Sequence, residues 1–563
     1  MEHRHRLLIA GLMVVAAAAA IGLLAPGAPK SLAQGDIIYV DTDAPGPTHD
    51  GSTWDYAFTD LQDALTEAGS GDQIWVAEGT YKPTDTTDRN ISFQMKNGVA
   101  IYGGFAGGET ELGQRDWEAN ETILSGDLNG DDGPDFANNG ENSYHVFYHY
   151  VLFLDQTAVL DGFTVSGGNA NGPSPHDTGG GMLNQFFGSP ALINVTFSGN
   201  SGFRGGGMLN YDNSSPALTN CIFSQNHAFG TDPESRRGRG GGIYNEEDSS
   251  PALTNCTFSG NSADLRGGGM YNDEDSSPTL TDCIFSGNSA NLRGGGMYNF
   301  YSAPVLTNAT FSQNNAYGST TPDGGGGIYS ESDPYNEEGP APTLTNCTFS
   351  GNSANYGGGM SNNSASPVLT NCTFSGNSAG VDGGGIKVLG SGPTLTNCTF
   401  SGNSAGTRGG GFWISGSRPT LTNCTFSGNS AGTEGGGMYI SPETPAALTN
   451  CILWGDTPEE IYPDVAVITY SDVQGGYTGT GNIDADPRFV DAANGDFHLH
   501  ACSPCIDTGD NTPSSLPLQD FEGDPRISDG NGDGEPVVDM GVDEVAIAGT
   551  CSRVYLPLVL RGY

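Results

Sequence analysis

The chain has 563 residues, 87 of them Gly, and carries 20 Lys+Arg against 65 Asp+Glu, a net charge of −45. Phosphate binding needs clustered Lys and Arg in a positive field, so this acidic balance speaks against nucleic acid as a partner and against an anionic membrane surface. With 25 Phe and 22 Tyr the chain is too aromatic for a solvated polymer, and its Gly content disfavours helical bundles, which leaves a large acidic β protein.

Residues 1–33 read as a secretory signal. Arg4 and Arg6 form the charged start, Leu7–Leu24 is an apolar run of 18 residues, and Ser31-Leu32-Ala33 is a small-x-small cleavage site. The alternative is an uncleaved anchor, since 18 residues just suffice to span a bilayer. Cleavage would leave 17 Lys+Arg and 64 Asp+Glu. No second run of that length follows, so the expectation is an extracellular or cell-surface product with no integral span. Next, Thr59-Asp60-Leu61-Gln62 is a capping box. Leu61, Ala64, Leu65 and Ala68 follow at helical spacing and Gly69 ends the segment, which predicts a short N-terminal capping helix. Gln73–Ala77 and Val99–Tyr102 are strand candidates, and residues 103–150 read as acidic loops protruding from the first coils.

The centre of the chain repeats itself. LTNCTFSGNSADLRGGGMY at 253–271 returns as LTNCTFSGNSAGTEGGGMY at 421–439. The positions equivalent to Cys256 are Val195, Cys221, Cys283, Ala309, Cys347, Cys372, Cys398, Cys424 and Cys451. Their period is about 26 residues, lengthened by insertions at Asp232–Arg239 and at Tyr317–Asp323 with Glu331–Pro340. Such a unit is too short for a helix pair and suits one coil of a parallel β-helix. Leu253, Cys256 and Phe258 should point inward and Thr254 and Thr257 outward, with bends at Asn255, Asn261 and Gly267–Gly269. One Phe per coil, from Phe197 to Phe426, should stack into an internal ladder, and the Asn positions into amide ladders. Because Val195 and Ala309 fill the Cys position in other coils, the eight repeat cysteines read as buried thiols. Cys502 and Cys505 leave a choice between a local disulfide and pairing of one of them with Cys551.

These features divide the chain into a signal at 1–33, a cap with first coils at 34–150, β-helix repeats at 151–454, an irregular region at 455–548 and a tail at 549–563. The FSGNSA and GGGM units resemble the repeats of polymorphic outer-membrane proteins, within the pectin-lyase-like right-handed β-helix superfamily. The segment DPRFVDAANGDFHLHACSPCIDTGDN resembles a choice-of-anchor region. The resemblance implies an all-β, right-handed parallel β-helix solenoid, export, and attachment to a bacterial surface. It implies little about activity, because the fold hosts many.

The candidate chemistry is sparse. Asp529, Asn531 and Asp533 match the first half of a calcium loop, but Met540 stands where the closing Glu belongs, with Asp539 or Asp543 as substitutes. Asp127, Asn129 and Asp131 are a poorer copy, and for both the alternative is a polar turn. Arg204, Arg239, Arg266, Arg293 and Arg408 precede the Gly run in their coils, forming a basic stripe that either binds a ligand or pairs with acids such as Asp264 and Glu246–Asp248. Tyr244, Tyr271, Tyr298, Tyr329, Trp413 and Tyr439 follow the Gly run and should stack on the outside of the coil. The motif sets of polygalacturonase-like and pectate lyase-like enzymes are missing, and no His falls between Cys256 and Cys451. The expectation is therefore a non-catalytic surface or secreted protein for adhesion, glycan binding or envelope structure. Its expected cofactor is calcium, if any, and its partner a polysaccharide or envelope component. The alternative is a polysaccharide lyase or glycoside hydrolase acting on an acidic glycan, with its site walled by the insertions.

Overall fold

A computed structural model describes residues 35–232, 236–319, 324–332, 340–416, 418–443, 445–513 and 515–546. The expected signal segment, parts of both insertions, Cys551 and the tail lie outside these residues. Each coil runs through four short strands, as Ala252–Thr254, Thr257–Ser259, Ser262–Ala263 and Met270–Asp273 illustrate. Equivalent strands stack coil upon coil into sheets of 15, 14, 10 and 12 strands, the first to fourth sheets below. The fold is a parallel β-helix.

The corners follow from local chemistry. Asn255 takes φ 53°, and every equivalent residue from Asn194 to Asn450 is left-handed, Asp282 included. The short amide or carboxylate tolerates this conformation by bonding locally. The second bend falls one residue earlier than the sequence suggested: Gly260 turns at φ 63°, while Asn261 points inward and is buried. In the Gly run only Gly267 needs positive φ, at 66°. Gly268 and Gly269 are required by close approach, since a Cβ would meet Ser289 O at 2.3 Å and Gly296 O at 2.6 Å.

The interior is built from ladders. Phe258 and Phe285 stack at 4.4 Å between centroids and Phe285 and Phe311 at 4.7 Å, all fully buried. At about 1.5–3 kcal/mol per buried side chain, these rings are a major source of cohesion. Beside them runs an amide ladder, in which Asn314 Nδ2 donates to Asn352 Oδ1 at 2.9 Å and Asn288 donates likewise to Asn314. Each amide donates one hydrogen bond to the next rung on its C-terminal side and one to a Phe carbonyl of the preceding coil, so the last rung needs only an acceptor. That rung is Asp456, whose Oδ1 receives Asn429 N and Nδ2. A second buried ladder links Asn184, Asn210, Asn245, Asn272 and Asn299. The eight repeat cysteines are free and buried. Burial pushes Cys372, Cys398 and Cys424 well above the usual thiol range.

A helix spans Leu61–Glu67, with Asp60 accepting from Gln62 N and with Leu61, Ala64 and Leu65 in the core. The stretch 103–150 re-enters the solenoid twice, as Thr122–Ser125 in the second sheet and Phe147–Tyr150 in the fourth. Past Trp454 one more coil forms from Ile461–Tyr462, Val467–Thr469 and Asp472–Val473. The chain then folds back on the outer Asn corner: Asn397 Nδ2 donates to Gln519 O and Asn423 Nδ2 to Asp539 O. Cys502 is disulfide-bonded while Cys505 is a free thiol 3.2 Å from Asp472 Oδ2, so the local Cys502–Cys505 bridge does not form. Among the described residues, no helix is long and apolar enough to cross a membrane.

Candidate functional site: an arginine–tyrosine seam

Along the strand Met270–Asp273, Met270 and Asn272 point inward and Tyr271 outward, as strand alternation requires. The outward row Leu183, Leu209, Tyr244, Tyr271, Tyr298 and Tyr329 is nevertheless fully covered and forms its own apolar cluster. The expected exposed aromatic ladder is thus a buried one for these tyrosines, with ring spacings of 4.9, 4.8 and 5.2 Å. The arginines provide the cover. Arg204, Arg239, Arg266 and Arg293 bridge coil to coil in parallel. Each guanidinium lies over the tyrosine of the next coil, at 5.4, 5.4, 5.5 and 5.1 Å. Such stacking is worth about 0.5–2 kcal/mol per pair, more as the pair is desolvated.

Acids close the other flank of the row. Tyr244 donates to Asp273 at 2.6 Å and Tyr298 to Glu331 at 2.8 Å. Arg204 pairs with Glu246 at 2.5 Å and Arg293 with Glu331 at 3.0 Å. From the described part of the first insertion, Arg236 reaches Glu246 at 2.7 Å and Glu274 at 2.9 Å. Burial holds the Tyr244 phenol well above its usual range, with Asp273 adding to the effect, and burial also raises the Asp273 carboxyl. The insertion therefore clamps the acids. A general base needs an acceptor within reach of a bound substrate. Here the Glu246 side chain is 4% exposed and that of Asp273 is 1% exposed.

Arg408 stands apart from the other four. It forms a bidentate pair with Asp382, at 3.0 and 2.9 Å, and its guanidinium lies 4.8 Å over Tyr439. Buried Lys387 sits 4.2 Å over Tyr356 in the same neighbourhood. The structure thus gathers four of the five arginines into one seam and places the fifth in a second, smaller cluster. Arg236, Asp273 and Glu331 were not singled out by sequence as members. The insertion's charge opposite the Glu246–Asp248 and Asp273–Asp275 turns was the available signal.

Both calcium candidate loops cap their own backbone: Asp127 accepts from the N–H groups of Gly130, Asp131 and Asp132, as Asp529 does in its loop. In the loop at 529–534, Asp529 Oδ1 accepts from Gly532 N and Asp533 N, and its Oδ2 from Gly534 N. Asn531 and Asp533 likewise cap backbone N–H groups of the loop. Asp539 is buried and accepts from Asp507 N and Val545 N, so its oxygens are committed there. Near the N-terminus the acids that converge are Asp127, Asp132 and Glu141, with ligand atoms within 4.8 Å of one another. Asp131 lies outside that group of acids, and Asn129 is exposed. Hard oxygen donors of this kind suit calcium.

The coil geometry and its ladders define a parallel β-helix protein. The chain belongs to the right-handed β-helix region family, whose model matches residues 156–334 and 319–469. No curated protein matches. Solved structures with similarity include pectate lyase Pel9A, at 12% identity and TM-score 0.35, covering 91% of this chain and 97% of that one. The bacteriophage CBA120 tailspike protein 3 is 14% identical at TM-score 0.32, covering 75% and 62%. The catalytic unit of the GH87 α-1,3-glucanase from Streptomyces thermodiastaticus is 15% identical at TM-score 0.32, covering 73% and 67%.

Proposed function

We propose that this is an exported, non-catalytic β-helix protein of the bacterial surface or surroundings, serving in glycan binding and adhesion. One observation carries the non-catalytic half: the acids of the seam are buried and engaged, Glu246 by two arginines and Asp273 by a tyrosine hydroxyl, with side chains only 4% and 1% exposed to any substrate. The ladder architecture supports the other half, since stacked coils present the same side chain at each rung along a face that a long polymer can follow. The charged start, apolar run and Ser31-Leu32-Ala33 motif support export. The helix Leu61–Glu67 covers the first coils in this reading, and its buried Leu61 and Ala64 support that role. Calcium enters as a structural ion for Asp127, Asp132 and Glu141; the buried Glu141 Oε1, which lacks a hydrogen-bond partner, supports it.

The test separates a seam that holds coils from one that holds ligand. Arg266→Gln and Arg293→Gln should lower the thermal midpoint and leave retention in polysaccharide-loaded gels unchanged. Loss of retention at an unchanged midpoint would make the seam the ligand site. The arrangement of acids and arginines keeps the lyase or hydrolase reading alive as the alternative, and cleavage of an acidic glycan would establish it.

A further inference from the structure

A trough of about 830 Å³ lies between the second sheet and the C-terminal region, on a different face from the seam. Its floor is a row of serines, Ser375, Ser401 and Ser427, paired in register across adjacent coils. The next rung of that register is Trp454. Gly402 and Gly428 follow two of the serines, and a Cβ at either would meet nothing within 4 Å, so the floor is open above them. The opposite wall is Phe489 with Ala492 and Ala493, beside Asp486 and Arg488. Arg488 is held in place: its N–H goes to Asp486 Oδ1 at 2.9 Å and its Nη1 to Cys502 O at 3.0 Å. The serine row does not stop at the trough. Ser350, Ser312, Ser286, Ser259, Ser224 and Ser198 continue it in register along the solenoid.

From this we infer that the trough is a binding site for a neutral polysaccharide chain lying along the solenoid axis, with one sugar ring against Trp454. The inference rests on the glycan-binding reading and assigns it a place. Three features select the ligand. The floor strands pair with their coil neighbours on both sides, so they offer hydroxyls in place of a free strand edge, which disfavours an added peptide strand. Trp454 packs in part against the C-terminal apolar cluster and lines the trough with the rest of its ring, and hydroxyls beside such an aromatic surface match the polar edge and apolar face of a pyranose. A net charge of −45, with only Arg488 as a cation in the lining, repels a polyanion. The rise from coil to coil, about 4.8 Å, is close to the length of one sugar unit, so successive hydroxyls can meet successive rings.

The experiment is calorimetric titration of the full chain with cellohexaose, laminarihexaose, xylohexaose and mannohexaose, with hexagalacturonate as the acidic comparator. Trp454→Ala and Ala493→Arg are the variants; Ala493 is exposed on the wall, so the arginine blocks the trough without entering the core. At least one neutral hexaose should bind, tenfold or more weaker with either variant, and the thermal midpoint of Ala493→Arg should be unchanged. Hexagalacturonate should bind at least tenfold more weakly than that neutral hexaose. Failure of all four neutral hexaoses to bind overturns the site. So does neutral binding that Ala493→Arg leaves intact, although glycan binding itself would then stand. Preference for hexagalacturonate overturns the neutral assignment.

Discussion

Two asparagines in one coil should respond very unequally to replacement. Asn314 lies inside, where its Oδ1 accepts from Asn288 N at 3.0 Å and Nδ2 at 2.9 Å, and its own Nδ2 donates to Phe285 O and Asn352 Oδ1. Asn314→Leu removes all four bonds and strands the buried Asn288 N–H. The unsatisfied buried donor costs about 1–3 kcal/mol and each of the other three lost bonds about 0.5–1.5 kcal/mol net, so the loss should be about 3–7 kcal/mol. Asn308 occupies the outer corner, exposed, at φ 54°. It exchanges side-chain bonds only with Asp282 and Asn346, at 2.9 and 3.2 Å. Asn308→Gly keeps the left-handed corner at no steric cost, so it should lose about 1 kcal/mol or less. Urea unfolding followed by circular dichroism measures both, with the slopes compared because a solenoid can unfold in segments. Equal losses for the two variants would refute the assignment of one ladder to cohesion and the other to corner geometry.

Other outcomes follow from the same contacts. Phe285→Ala removes a ring stacked on both sides and should cost about 3–5 kcal/mol, read as a lower urea midpoint. The eight ladder thiols should resist a thiol reagent in buffer and react in denaturant; rapid labelling of the folded protein would contradict their burial. Burial pushes Asp539 up to about 7. Its folded form favours the proton, so its contribution is complete below the unfolded carboxyl pKa and fades as pH rises through about 7. Hydrogen exchange in residues 505–545 should therefore be slower at pH 5 than at pH 8, after correction for intrinsic rates. Calcium should raise the thermal midpoint of the parent chain and not that of Asp132→Asn.

The coil was legible because its rungs are identical. A residue repeated every 26 positions, such as Phe285 or Asn255, declares both its ladder and its corner. The second corner was misplaced by one because Gly260 and Asn261 both permit turns, and only packing reveals that the amide is needed inside. The burial of Tyr271 was hidden for another reason: Arg239, which covers it, sits one coil earlier, and a repeat pattern does not tell which neighbour a long side chain reaches. The docking of the C-terminal region on Asn397 and Asn423, and with it the trough at Trp454, joins segments without any common period. No spacing rule could have paired Ser401 with Ala493. The same holds for calcium, where the linear spacing of Asp127, Asn129 and Asp131 suggested one set and the fold converges Asp127 with Asp132 and Glu141.

The proposed function is binding without cleavage. The most direct measurement incubates the full chain with neutral and acidic polysaccharides, with calcium and with chelator, and counts new chain ends beside retention of the protein on the same glycans. Retention on a neutral glycan with no new ends under any condition is the expected result. Calcium-dependent release of ends from an acidic glycan would contradict it and return the seam's acids and arginines to a catalytic role.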